Sequence, residues 1–313
     1  MPPPALRPTM YFIGVTTGAS SIMKVFPAWA RHLGIDADIT GIDLPLDAEP
    51  AVYRDVVSFI KDDPLSRGAL VTTHKLNLFK AARDLFDEVG DSAALLDEVS
   101  SIAKRGPRLR GQAMDPITSG LSLEAIVPEG YWADGGELLL LGAGGSSLAL
   151  TLYLHQRQQR GGDVPDRIVV TNRRPHRLDE MRSIHDGLAS ALKIDYVHSP
   201  APADNDRRLA DLPPDSVVVN ATGLGKDRPG SPLTDAAVFP PGAIAWDFNY
   251  RGDLVFLDQA RAQRGVRVED GWVYFIHGWT RVISDVFDIE IPTAGPEFDQ
   301  LADIARTTTT QKG

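Results

Sequence analysis

Apolar positions along this chain fall into short continuous runs and helical stripes, and the two kinds of segment alternate. "MYFIGVT" (10–16) reads as a strand and "SIMKVFPAWARHLGI" (21–35) as a helix interrupted or kinked near Pro27. "ADITGIDLPL" (37–46) reads as a second strand, "AVYRDVVSFIKDD" (51–63) as a helix and "GALVTT" (68–73) as a third strand. "KLNLFKAARDLFDEVGDSAALL" (75–96) supplies more helix, with Leu76, Phe79 and Ala82 at helical spacing. "SSIAKRGPRLRGQAMD" (100–115) looks like a strand, a turn and a strand. The pattern predicts an α/β domain with a mostly parallel sheet over residues 1–126.

A Gly- and Pro-rich stretch, "IVPEGYWADGG" (126–136), marks a junction, and a second alternating block runs over 127–273. Its strands are "GELLLLGAG", "DRIVVTNR", "KIDYVHS", "SVVVNAT", "AIAWDFN" and "VRVEDG", with helices such as "SSLALTLYLHQRQQR" between the early ones. That repetition predicts a doubly wound Rossmann sheet. Helices over about 274–287 and 296–304 follow and are expected to return to the first domain; "ARTTTTQKG" is expected to fray.

Composition narrows the function. The chain has 313 residues, 43% hydrophobic, which is too long for one ordinary domain and predicts two. A net charge of −10 argues against an extended nucleic-acid surface. The absence of cysteine removes disulfides, thiolate nucleophiles and cysteine-ligated metals. No apolar run has signal-peptide or membrane-spanning length, so a cytoplasmic protein without a membrane partner is expected. No cluster has metal-ligand spacing, so no metal is expected.

The clearest chemical motif is "ELLLLGAGGSSLALTLYL", where four leucines run into Gly142, Gly144, Gly145, Ser146 and Ser147 and then a helix. Glycines let the backbone turn tightly against a pyrophosphate, and the helix start offers unpaired N–H donors and partial positive charge. The next strand ends in Asn172, Arg173 and Arg174, with Arg177 a turn later, where NAD-binding sheets carry an acidic residue. Guanidinium groups match a phosphate dianion, so NADP is expected as the cofactor. Ala221, Thr222 and Gly223 follow an apolar strand and supply the small residues that backbone beside a cofactor needs. In "ALVTTHKLNLF", Lys75 stands where a buried strand ends and a helix begins, a costly place for an ammonium unless it is a solvated helix-start residue or has a task.

These motifs in this order resemble the shikimate dehydrogenase family over nearly the whole chain. The residues that carry the resemblance are "TTHK" at 72–75, "GQAMD" ending at Asp115, "GAGGSS" at 142–147 and "TNRR" at 171–174. "NATGLG" at 220–225, "DFNY" at 247–250 and "DGWVYFIHG" at 270–278 complete the set. The resemblance implies an N-terminal α/β substrate domain, a Rossmann NADP domain and C-terminal helices that return to the first. It also implies reversible NADPH-dependent reduction of a ring ketone, with Lys75 and Asp115 as the catalytic pair facing the cleft between domains. His74 is read as a packing residue beside that lysine.

Several substrate positions of the family are altered. The serine pair of its first helix falls on Ser20 and Ile22, the threonine before the catalytic lysine on Val71, and an asparagine on Ser100. Gly278 replaces a substrate-binding glutamine, Val273 replaces a cofactor-facing glycine, and Tyr250 is kept. His277 lies beside the same wall and is weighed as a substrate contact against plain packing. Hydrogen-bonding positions have turned apolar or shorter while the catalytic pair survives. The expectation is therefore a small cyclic ketone or alcohol less polar than shikimate, or without its carboxylate. True shikimate dehydrogenase, a methylenetetrahydrofolate dehydrogenase-like enzyme and a non-catalytic NADP-binding regulator are the alternatives. The sequence leaves the oligomeric state open, a homodimer included.

Overall fold

The structure is a computed structural model and describes residues 2–226 and 228–310. They form two compact units, one built from the chain up to Asp115 together with the chain from Ile276 on, the other from Pro116–Phe275. Each has its own six-stranded sheet.

In the first unit, β1 (Thr9–Gly14), α1 (Ile22–Leu33), β2 (Asp38–Asp43), α2 (Pro50–Asp62) and β3 (Ser66–Val71) alternate as the apolar pattern predicts. Then come α3 (Lys75–Ala82), β4 (Glu88–Val89), α4 (Asp91–Leu96), β5 (Ser101–Arg105) and β6 (Arg108–Gln112). The strand order is β2-β1-β3-β5-β6-β4. β1 pairs in parallel with β2 and β3, whereas β5 runs antiparallel to both β3 and β6. β1 is buried along its whole length, as befits a strand covered on both faces.

The second unit begins within α5 (Asp115–Ile126) and continues through β7 (Leu138–Leu141), α6 (Gly145–Gln159), β8 (Ile168–Asn172), α7 (Pro175–Gly187) and β9 (Ile194–His198). It goes on with α8 (Pro202–Ala210), β10 (Val217–Asn220), β11 (Ile244–Asp247), α9 (Val255–Arg261) and β12 (Arg267–Glu269). The sheet order β12-β11-β10-β7-β8-β9, all parallel, reverses direction between β7 and β10. This is the doubly wound dinucleotide-binding topology, whose ligand crevice lies at the carboxyl ends of the strands where the order reverses. Leu123, Ile126 and Val127 pack in this unit's core with Trp132, Leu138 and Leu140.

The last helices, α10 (Trp272–Phe287) and α11 (Pro296–Thr310), bring the chain back to the first unit. Trp29 Nε1 donates to the Leu301 carbonyl at 2.8 Å, and Phe26 lies against Phe287. Asp285 accepts a bond from Ser101 at 2.6 Å and pairs with Arg110. No described helix is long and apolar enough to cross a membrane.

The structure corrects four local expectations. α1 runs through Pro27 as one element, with the ring on the exposed face while Phe26, Trp29 and Ala30 are buried. β4 interrupts the stretch expected to be helix over 75–96. Leu76 is 57% exposed, whereas Leu78, Phe79 and Ala82 form the buried face of α3. Residues 305–310 are helix, not a frayed tail: Phe298, Leu301 and Ala305 form a buried stripe, and Thr308, Thr309 and Thr310 bond back to carbonyls four residues earlier. The rest of that tail lies outside the described residues.

Candidate active site

The lysine is positioned from β3 outward. Val71 ends the strand, held by Ile13 of β1 and by its N–H on the Ser100 carbonyl at 2.9 Å. Thr72 continues the hold with its N–H on the Ile13 carbonyl at 3.0 Å. His74, which is 1% exposed, then pins the turn: its Nε2 bonds the Leu44 carbonyl at 3.1 Å and its Nδ1 accepts from Tyr53 at 3.0 Å. Both ring nitrogens are used, so this histidine is a fastening. Lys75 follows as the first residue of α3, where its charge meets the positive end of the helix dipole and needs a compensating anion.

Asp115 supplies that anion. It heads α5, an end that favours a carboxylate, and forms an ion pair with Lys75 in which both side chains are about one-fifth exposed. Ser100 fixes the approach of the acid, since its hydroxyl accepts the Met114 N–H at 2.7 Å and its own N–H bonds Gln112. Burial alone would lower the Lys75 pKa, but the Asp115 and Glu98 carboxylates hold it above the ordinary lysine value. Lys75 is therefore an ammonium at neutral pH.

Glu98 was not anticipated from the sequence. It is 9% exposed, and burial pushes its carboxyl up to about 7, with Lys75 opposing the shift and Asp115 adding to it. The only sequence signal is an acidic pair, Asp97 and Glu98, set between the buried Leu96 and Val99.

Other expected substrate positions are placed differently. Ile22 and Val71 are wholly buried, and the Ser100 hydroxyl is committed to Met114. Ser20 is half-buried at the approach to α1. His277 is 1% exposed, stacks on Phe298 with ring centroids 4.4 Å apart, and has neither ring nitrogen hydrogen-bonded among the described residues. Burial pushes that imidazole down to about 4, so it is neutral and packed. Gly278 opens space instead: a Cβ there meets no atom within 4 Å. In the second unit, Tyr250 lies against Trp272 and Phe275 with centroids 5.6 and 4.8 Å apart, and Val273 is half-buried near the start of α10.

The second unit carries the phosphate turn. Gly142 has φ +113°, and a Cβ on it would stand 2.9 Å from the Ala221 carbonyl oxygen, so the turn after β7 requires glycine. Gly144 and Gly145 are exposed, and a Cβ on either meets nothing within 4 Å. No side chain caps α6, and Ser146 is its half-buried second residue, so the head of the helix is open as a diphosphate requires. Ser147 is turned inward, its hydroxyl donating to the Gly142 carbonyl at 2.6 Å, and so shapes the turn.

At the end of β8, Asn172 Oδ1 accepts the Arg174 N–H at 2.9 Å, which bends the chain into α7. Arg173 and Arg174 are exposed and have no ion pair among the described residues, whereas Arg177 is paired with Glu180 at 3.0 Å. Two unneutralised guanidiniums at this strand end suit a ribose phosphate.

Behind Ala221, Thr222 and Gly223 lies a buried polar network. Asn220 donates to Asp247 at 2.8 Å and accepts from the N–H and hydroxyl of Thr222 at 3.1 and 2.6 Å. Asp247 also takes two bonds from Asn249 at 2.8 Å, while burial pushes its carboxyl up to about 6 against those bonds. An Asn220→Leu protein strands donors and acceptors on both strand ends and is expected to lose about 2–4 kcal/mol of stability in urea unfolding. A loss below about 0.5 kcal/mol shows that the network does not hold the loop.

A parallel dinucleotide-binding unit joined to an α/β unit that carries a Lys–Asp pair defines the class: a two-unit α/β nucleotide-dependent protein. No family model matches the chain. It is 27% identical over 276 residues to a shikimate dehydrogenase (NADP(+)) from Methylobacterium radiotolerans, covering 86% of this chain and 88% of that protein. Shikimate 5-dehydrogenase from Thermus thermophilus, solved in complex with NADP(H) and shikimate, superposes with a TM-score of 0.70 at 22% identity, covering 96% of this chain and 99% of that one. A 5-ketofructose reductase from Gluconobacter also superposes, with a TM-score of 0.70 at 18% identity over 97% and 99% of the two chains. The chain is a divergent relative of the shikimate dehydrogenases and shares their fold.

Proposed function

We propose that the protein is a shikimate dehydrogenase-like NADP-dependent oxidoreductase that interconverts a cyclic ketone and its alcohol. Its substrate is less polar than shikimate or lacks the carboxylate. The observation that carries this reading is the ion pair of Lys75 and Asp115, formed at the heads of two helices beside buried strand ends.

Bound NADPH supplies the hydride. The open turn at Gly142, Gly144 and Gly145 would hold its diphosphate, and Arg173 and Arg174 its ribose phosphate. Ala221, Thr222 and Gly223, held by Asn220, would line its path. Lys75 stabilises the alkoxide that develops on the ketone oxygen and gives it a proton from Nζ; Asp115 keeps that ammonium charged and aimed. The chain covers most of a relative named for NADP(+), which supports the cofactor reading.

The altered substrate rests on Ile22 and Val71, apolar and buried where the family has hydroxyls, and on the open space at Gly278. Shikimate dehydrogenases and a 5-ketofructose reductase share this fold, so the fold alone does not select an acid. The test is turnover by purified protein with NADPH or NADH across a panel of cyclic ketones, beside oxidation of shikimate and quinate. Reduction of an uncharged cyclic ketone with NADPH preferred is the expected result. Efficient oxidation of shikimate or quinate sinks the altered substrate, and no turnover with any ring ketone sinks the reaction.

A further inference from the structure

The second unit holds a cavity far from its phosphate turn. Its volume is about 340 Å³, within the size range of small-molecule sites. The walls come from the last turn of α5, the segments leading into β7 and β8, and the second half of α6. Those segments enter the sheet at the amino ends of its strands, whereas the nucleotide crevice lies at the carboxyl ends. Along α6, Gly145 at the phosphate turn and Arg157 in the cavity are about 18 Å apart at the rise of an α-helix.

The floor is apolar and reaches the core of the unit, where Leu123, Trp132 and Leu154 are buried. Tyr153 forms a wall, its ring seated on α5 because Gly120 has no Cβ to block it. The polar groups are unequally spent. The Tyr153 hydroxyl and the Arg157 guanidinium both donate to Glu124, and Arg157 Nε also donates to the Asp163 carbonyl at 2.8 Å. Arg157, the one cation of the lining among the described residues, is thus used up within the wall. Asp163 accepts the Trp132 N–H at 3.0 Å on one carboxylate oxygen. Among the described residues its other oxygen has no hydrogen bond, and the exposed Glu129 has neither a hydrogen bond nor an ion pair.

Such a floor takes a hydrocarbon body, and the rings of Trp132 and Tyr153 favour a flat one. The unspent carboxylate oxygens take charged donors. An anion finds no free guanidinium and meets the repulsion of Glu129 and Asp163. We propose that this cavity is a second ligand site, which takes a small organic cation: a primary amine on a flat apolar body. This holds whether or not Lys75 performs the reaction assigned to it.

The test measures binding of phenethylamine by calorimetry, beside phenylacetate, which has a similar body and the opposite charge. Each titration is run without NADP and with NADP at saturation. The proteins are wild type, Glu129→Gln, the double variant Glu129→Gln with Asp163→Asn, and Asp211→Asn as an exposed acid beyond α8, each checked by thermal melt. Wild type is expected to bind the amine about tenfold or more tightly than phenylacetate, with NADP changing the amine's affinity by less than about twofold. Glu129→Gln is expected to weaken the amine about threefold and the double variant about tenfold or more, with Asp211→Asn within about twofold of wild type. Glu129 is exposed, so its single variant and the wild-type comparison of charges decide the matter even where the double variant does not fold. Equal binding of the two compounds, displacement of the amine by NADP, affinity unchanged in Glu129→Gln, an equal loss in Asp211→Asn, or no saturable binding of phenethylamine overturns the proposal.

Discussion

Replacing Lys75 by methionine is expected to lower kcat for ketone reduction by about 10²–10⁴-fold, the usual worth of a positioned proton donor. Affinity for NADPH is expected to stay within about twofold, because the phosphate turn and its arginines lie elsewhere in the chain. The ammonium stands at the positive end of α3, paired with Asp115, and the Glu98 charge also holds its pKa up. Methionine keeps the stem and removes the charge, so the alkoxide forms without a proton and without a cation. Glu98 then loses the positive charge that opposes the upward shift of its carboxyl. Lys75→Arg separates the two roles. It restores positive charge but donates a proton poorly at neutral pH, so it should recover only a small part of the loss. Stopped-flow measurement of NADPH oxidation checks both variants. A kcat within about threefold of wild type in Lys75→Met rules the lysine out as the donor.

The second large effect falls on cofactor choice. Arg173 and Arg174 follow β8 with no ion pair to either guanidinium among the described residues, and the Asx turn from Asn172 fixes the backbone there. Charge-assisted bonds to a phosphate contribute about 1.5–3 kcal/mol each. The double change Arg173→Ala with Arg174→Ala should therefore raise KM for NADPH by about 10²-fold or more while leaving KM for NADH nearly unchanged. The ratio of the two Michaelis constants is the readout, and equal loss with both cofactors shows that the arginines do not read the extra phosphate. Arg177, already paired with Glu180, should matter far less.

Much of the second unit is legible in the sequence because its central strands, β7, β8, β10 and β11, are buried almost throughout. Leu138–Leu141 is wholly buried and is flanked by glycines, so one short segment declares strand, turn and phosphate site together. The unit's strand order follows from the same alternation once the topology rules are applied. β4 is another matter: with two residues, one of them the exposed Glu88, it has no period to read. The helical threonines near the C-terminus are poor helix formers and read as a tail. Their hydroxyls bond back to the preceding turn, and the stripe of Phe298, Leu301 and Ala305 decides the outcome.

The candidate site divides in the same way. Lys75 is conspicuous because it heads a helix just after a buried strand, whereas Asp115 is found only through the resemblance that the run ending in it carries. Ile22 and Val71 are visible as departures from a pattern, but only the structure shows that both sink into the core. Glu98 is hidden, since nothing local distinguishes it from the solvated Asp97 before it. The next residue, Val99, bonds the Lys75 carbonyl, a contact between residues 24 positions apart that no window of sequence can report.

The first unit is built from two stretches of chain with the whole second unit inserted between them. During synthesis the inserted unit leaves the ribosome complete while its neighbour still lacks α10 and α11. Until those helices emerge, Trp29 has no Leu301 carbonyl to bond and Ser101 and Arg110 have no Asp285. The half that carries Lys75 therefore matures last, so a nascent chain acquires its nucleotide-binding fold before the acid–amine half can finish folding.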